Sequence, residues 1–140
     1  MSRGMQHGRC LCGAVTISAV LDEEMSACFC EMCVRWSGSA MMVVPARGMA
    51  MSGPVRTYRS SSFAERAWCD VCGSNLWIKD DDGQYELMPG LFENAGGAKL
   101  TRIVFADLRP EGWDYAGEQN RVSREDYIAE KPWVPPEEAP

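Results

Sequence analysis

The sequence predicts one mostly-β domain, and three observations carry that prediction. Short segments rich in β-branched and aromatic residues recur along the 140 residues, each bounded by Gly, Pro, Ser or Asp. A single stretch near the C-terminus reads as a helix. All seven cysteines fall into three groups: Cys10 and Cys12; Cys28, Cys30 and Cys33; Cys69 and Cys72. A chain of this length builds one core more readily than two, and no repeat or linker divides it.

In chain order, residues 13–20 alternate apolar and polar side chains and read as a strand leaving the first cysteine pair. The second cysteine group is expected in a loop, with a turn at Ser37, Gly38 and Ser39. Residues 40–44 predict a buried strand that Pro45 stops. Residues 49–54 read as a turn region, 55–59 as a strand, and Ser60, Ser61 and Ser62 as a loop tip. Residues 65–68 run into the third cysteine pair and 75–79 run out of it, the pattern of a metal-bearing hairpin. Asp80, Asp81, Asp82 and Gly83 have neither the spaced ligands nor the closing Glu of an EF-hand, so they read as a hairpin turn before residues 85–88. Residues 100–105 predict one more strand. Ser123 is a helix cap, with Glu125 and Asp126 in the first turn of the helix that follows.

Composition narrows the function. The net charge of −6 opposes nucleic acid and anionic membrane surfaces as partners. Met1 to Gly8 lacks the apolar stretch of a signal peptide, and no apolar run of about 18 residues occurs. Cytoplasmic residence is therefore expected, where a disulfide framework is disfavoured and clustered thiols mean metal. The expected organisation is a zinc-binding domain over 1–130 and a Pro-rich extended tail over 131–140, which holds four prolines.

Seven cysteines divide into four plus three. Structural zinc sites close with four protein ligands, whereas catalytic ones keep a position open. Cys10 and Cys12 lie two apart near a strand end, and Cys69 and Cys72 sit on a turn that Gly73 permits, so together they predict a structural four-cysteine site. Cys28, Cys30 and Cys33 lack an obvious fourth protein ligand. The one histidine, His7, sits near the chain start and reads as a solvated side chain. Zinc with three thiolates carries net charge −1, making it a weak Lewis acid for water but a fitting holder of an exogenous thiolate. A second structural site, completed by Glu31, His7 or water, or an empty set of reactive thiols, stands beside that reading.

These motifs resemble the glutathione-dependent formaldehyde-activating enzyme family, which includes centromere protein V. The resemblance runs from about Gly8 to Trp113. It rests on Gly8-x-Cys10-x-Cys12-Gly13, on Cys28-x-Cys30-x-x-Cys33 followed by Gly38, and on Cys69-x-x-Cys72-Gly73-Ser74, with Arg66 and Gly90 also fitting. It implies an Mss4-like β-tent of small antiparallel sheets around a structural zinc, with at most a short C-terminal helix. It implies the same partition of cysteines, with Cys28, Cys30 and Cys33 as the catalytic or substrate-linked zinc site. The activity it implies is a carbon–sulfur lyase acting on the adduct of glutathione and formaldehyde or a related thiol–aldehyde pair. Many members carry a histidine near the position of Arg102, and this sequence has none there. Glu31 is then a candidate proton carrier. Arg35 and Arg66 are candidates to pair with carboxylates of a glutathione-like ligand. Phe29, Trp36, Trp68 and Trp77 are candidates for a pocket lining or for the core. The rival reading is a zinc-stabilised protein-binding module without chemistry of its own.

Overall fold

A computed structural model describes residues 3–135. Among these residues the chain forms ten strands and two helices, so it is mostly β. The strands are β1 (Gln6–Arg9), β2 (Thr16–Leu21), β3 (Glu24–Cys28), β4 (Met41–Ser52), β5 (Val55–Arg59), β6 (Ala64–Cys69), β7 (Asn75–Asp80), β8 (Tyr85–Leu87), β9 (Lys99–Val104) and β10 (Asn120–Val122). Helix α1 spans Glu31–Ser37 and α2 spans Arg124–Glu130. The strand order is β10-β9-β3-β4-β8-β7-β6-β5, with β1 paired to β2 and β2 to β4. No helix among the described residues is long and apolar enough to cross a membrane.

The strands expected at 55–59, 65–68, 75–79 and 100–105 are present with small shifts of boundary. The acidic turn also forms: β7 and β8 pair antiparallel across it, and the Gly83 amide donates to the Asp80 carbonyl at 2.9 Å. Ser123 caps α2, its Oγ accepting from the Asp126 amide at 3.1 Å, with Glu125 and Asp126 in the first turn.

Three expectations need correction. Pro45 does not end its strand, because β4 spans 12 residues from Met41 to Ser52 and passes through it. Proline removes only a donor, and the Pro45 carbonyl still accepts from the Asp22 amide at 2.9 Å. The sheets are not all antiparallel, since β9 runs parallel to both β3 and β10. The second cysteine group is not wholly in a loop: Cys33 lies in α1, a helix besides the C-terminal one. Cys30 caps α1 with its sulfur, which accepts from the Cys33 amide, and Gly38 closes it at φ 87, a left-handed conformation that lacks a Cβ penalty only in glycine.

β4 organises the whole. Its first half pairs with β3 and β8 and its second half with β2. Two apolar clusters form around it. One gathers Val15, Ile17, Leu21, Val44, Leu76 and Leu87 around Cys10 and Cys69. The other gathers Ala27, Met41, Val43, Ile103 and Phe105 around Cys30 and Cys33. Each group of cysteines is thus anchored in its own core, by Cys10 and Cys69 in one and by Cys30 and Cys33 in the other. Of the expected tail, residues 136–140 lie outside the described residues; Val134 is buried in the second cluster.

Candidate functional site

The turn after Arg9 and the turn between β6 and β7 bring four sulfurs together. Cys10, Cys12, Cys69 and Cys72 offer ligand atoms that all lie within 4.8 Å of one another. The Cys10 and Cys12 sulfurs are 3.7 Å apart, and those of Cys12 and Cys69 are 3.9 Å apart. Gly73 adopts φ 77 directly after Cys72, and its amide donates to the Cys69 carbonyl at 2.9 Å. That left-handed turn folds the β6–β7 hairpin back so that both of its sulfurs meet Cys10 and Cys12.

Backbone amides surround this set. Those of Ala14 and Val15 donate to the Cys12 and Cys10 sulfurs at 3.4 and 3.3 Å, and those of Val71 and Cys72 to Cys69 at 3.4 and 3.5 Å. Ser74 ties the two knuckles, its Oγ accepting from the Leu11 amide at 3.0 Å and lying 3.2 Å from the Cys72 sulfur. Hydrogen bonds from the Ser74 side chain and backbone draw the Cys72 thiol down to about 5. Such donors favour thiolate, the form that binds metal.

The second set is assembled by β3, the Cys30 cap and α1. Cys28, Cys30 and Cys33 also converge within 4.8 Å. The Cys30 amide donates to the Cys28 sulfur at 3.4 Å and the Cys33 amide to the Cys30 sulfur at 3.3 Å. Hydrogen bonds from Cys28 and then Cys33 draw the Cys30 thiol down to about 3, the nearby Arg66 charge acting in the same sense. Cys28 is raised well above the usual thiol range by Cys30 and Cys33, and Cys33 is raised as well. Among the described residues these two sets are the groupings of three or more His, Cys, Asp and Glu able to hold a metal ion.

A cavity of about 90 Å3 opens onto this second set. Its walls mix the three cysteines with apolar side chains, including Met41, Val43, Phe63 and Phe105, and with Arg66, Asp80, Glu86 and Arg102. Tyr127 and Ile128 of α2, with Lys131 and Val134 beyond it, complete the lining.

The structure separates the candidates named from sequence. Arg66 on β6 is only 3% exposed and lines the cavity. Its Nη2 lies 3.6 Å from the Cys33 sulfur, its Nη1 3.6 Å from the Met41 sulfur, and its Nε donates to Ser60 at 3.1 Å. The guanidinium stacks 5.1 Å above the Trp36 ring. Arg35, by contrast, points outward from α1 and pairs with Glu31 at 3.0 Å, both side chains being more than two-thirds exposed. His7 is exposed on β1 and bonds to Ser18. Phe29 packs against Trp113 and Tyr115, Trp77 meets Tyr85 edge-on, and none of Phe29, Trp36, Trp68 and Trp77 lines the cavity.

Sequence reasoning missed Asp80, Glu86 and Arg102 as residues of the cavity. Glu86 carried no signal, because between Tyr85 and Leu87 on a three-residue strand it reads as the ordinary solvent-facing position of an alternating pattern.

Known proteins share this pattern. The sequence model of the family described as glutathione-dependent formaldehyde-activating enzyme matches residues 5–107. The chain is 32% identical over 115 residues to a Schizosaccharomyces pombe protein named an uncharacterized lyase, spanning 78% of this chain and 84% of that relative. It is also similar to a Rhodobacter sphaeroides protein of known crystal structure, with a TM-score of 0.56 and 21% identity over 68% of this chain and 99% of that one. The second likeness is one of fold alone.

Proposed function

The chain belongs to the glutathione-dependent formaldehyde-activating enzyme family, and from that premise we propose that it is a carbon–sulfur lyase acting on a thiol–aldehyde adduct, with glutathione and formaldehyde or a related pair as substrates. A lyase-like role is supported by the family and by the relative named a lyase. The observation that carries the finer reading is the three-cysteine set, which lines a cavity and has no fourth His, Cys, Asp or Glu ligand among the described residues.

The donor sets suit zinc. For zinc–sulfur bonds of about 2.3 Å, tetrahedral geometry separates sulfurs by about 3.8 Å, close to the 3.7 and 3.9 Å found in the four-cysteine set. Cys10, Cys12, Cys69 and Cys72 would hold a structural ion. Cys28, Cys30 and Cys33 would hold a labile one. What zinc supplies at that second set is an open coordination position suited to a substrate thiolate.

The chain's own groups do the rest. Arg66 sets a buried positive charge against Cys33, which offsets repulsion among three thiolates. Apolar side chains from β4, β9 and α2, among them Met41, Val43, Val104 and Ile128, share the cavity wall with the charged groups and limit the water around a hydroxymethyl thioether or its aldehyde. Of the two arginines named from sequence, Arg66 is the one proposed to meet a substrate carboxylate, because it lines the cavity. The protein is proposed to work in the cytoplasm on these small molecules, without nucleic acid or membrane.

Zinc stoichiometry before and after glutathione is added to mildly chelated protein tests this, together with turnover of glutathione and formaldehyde. Two zincs per chain, one labile and shielded by the thiol, is the expected result. One tightly held zinc that ignores thiols, with no turnover, would sink the lyase reading and favour a binding module.

A further inference from the structure

The cavity wall holds an acid without a role so far. Glu86 is the middle residue of β8, opposite Pro45 on β4 and Ile78 on β7. Leu87 beside it is fully buried in the core around the four-cysteine set. Strand alternation therefore turns Glu86 to the opposite face, where it lines the cavity shared with Cys28, Cys30 and Cys33. A position inside a sheet, beside the buried Ile78, is one where packing alone selects an apolar residue.

The charged groups around it do not neutralise it. Asp80 faces it from β7, Arg102 from β9, Arg66 from β6, Lys131 from beyond α2 and the Cys33 thiol from α1. Asp22, Glu24 and Asp82 line an adjoining pocket to which Asp80, Glu86, Arg102 and Lys131 also contribute. Arg102 is bonded to Glu130, and Lys131 lies over the Tyr127 and Trp133 rings. Among the described residues, neither Asp80 nor Glu86 makes an ion pair with a cation. Burial first, then the Asp80 charge, lifts the Glu86 carboxyl from 4.5 to about 7, with Lys131 opposing. Both of its protonation states are accordingly populated near neutrality, the condition that suits a general acid–base. Glu31, the acid that the sequence offered for this work, stands outside the cavity in its pair with Arg35.

We propose that Glu86 carries the proton between the substrate thiol and the aldehyde oxygen. This inference rests on the thiol–aldehyde reading of the site. In the condensing direction the S–H proton passes to the Glu86 carboxylate. The sulfur electron pair forms the C–S bond to the carbonyl carbon, and the π electrons of C=O move to oxygen. That oxygen then takes the proton back from the Glu86 carboxyl. Thiol plus aldehyde gives the hydroxyalkyl thioether with nothing added or lost, and lysis retraces the path.

Two readouts on the zinc-loaded full chain test this. Infrared difference spectra on adding glutathione alone, slightly above neutral pH, report protonation of a carboxylate without any turnover. The wild type should gain a protonated-carboxyl signal that Glu86→Gln lacks and Asp80→Asn keeps. In turnover, Glu86→Gln should lower kcat for formaldehyde release by about 100-fold with KM little changed, lose the pH dependence near neutrality, and recover part of the rate in Glu86→Asp. No carboxyl signal in the wild type, or a Glu86→Gln variant with the wild-type pH profile, overturns the proposal. A Glu86-dependent signal in a wild type that turns over no adduct sinks the lyase reading instead and keeps Glu86 as the thiol's proton acceptor. Failure to bind glutathione at all removes both.

Discussion

Replacing Cys30 and Cys69 by serine, one at a time, separates the two sulfur sets by their effect on folding. Cys69 is wholly buried, accepts two amides from its own turn and lies 3.9 Å from the Cys12 sulfur. Its loss removes one of the four sulfurs of the proposed metal site that ties residues near 10 to residues near 70. Structural zinc in small peptides contributes on the order of 10 kcal/mol, comparable to the roughly 5–15 kcal/mol total stability of a domain. Cys69→Ser is therefore expected to leave an unfolded or aggregated chain. Cys30 differs because its sulfur also caps α1 by accepting from the Cys33 amide at 3.3 Å. Serine is among the best residues for that position, so the cap survives the substitution. The expected loss is about 1 kcal/mol, or about 3–5 °C in Tm for a chain of this size, while turnover disappears. Thermal melts followed by circular dichroism, with zinc content and formaldehyde release measured on the same samples, give the comparison. Equal collapse of both variants, or full turnover in Cys30→Ser, would refute the division into a structural and a working set.

Other substitutions probe the neighbourhood. Arg66→Met keeps the bulk of a buried side chain but removes the charge beside Cys33, so competition with a chelator should show the labile zinc held about 10–100-fold more weakly. Unchanged zinc retention would argue that Arg66 acts through packing against Trp36 alone. Ser123→Ala removes the cap of the helix that carries Tyr127 and Ile128 onto the cavity, and should lower stability by about 1 kcal/mol in denaturant unfolding. Because Glu86 is raised from 4.5 to about 7 by burial, the folded state holds its proton more tightly than the unfolded one. Its contribution to stability falls as pH rises through about 4.5 to 7 and levels off above. Glu86→Gln should thus gain stability relative to the wild type across that window, read as a growing Tm difference; a pH-independent difference would count against the raised carboxyl.

Much of this was readable in the residues because the signals were local. The β6–β7 hairpin announces itself by Cys69, Cys72 and Gly73, and the α2 cap by Ser123 with two acids behind it. The convergence of Cys10 and Cys12 with Cys69 and Cys72 followed from ligand chemistry rather than from pattern. Helix α1 escaped because it has only seven residues and its cap is a cysteine, a residue read first as a ligand. β4 escaped because a proline usually ends a central strand, and only the tertiary position of Asp22 shows where the Pro45 carbonyl goes. Arg35 and Arg66 look alike in sequence; which one meets the cysteines depends on the order β3-β4-β8-β7-β6 across the sheet, a placement no short window encodes. Glu86 and Arg102 reach the cavity from β8 and β9, distant in sequence from Cys28 and from each other.

The long strand β4 has a consequence for how this protein can be cut, fused or inherited. One continuous stretch of backbone carries partners for β2, which leaves the four-cysteine knuckle, for β3, which delivers Cys28, and for β8, which delivers Glu86. No single break in the chain therefore yields one fragment with the complete four-cysteine set and another with the complete cavity. The two are not modules, and a transplanted metal-binding hairpin would arrive without the scaffold that gives the second set of sulfurs its shape.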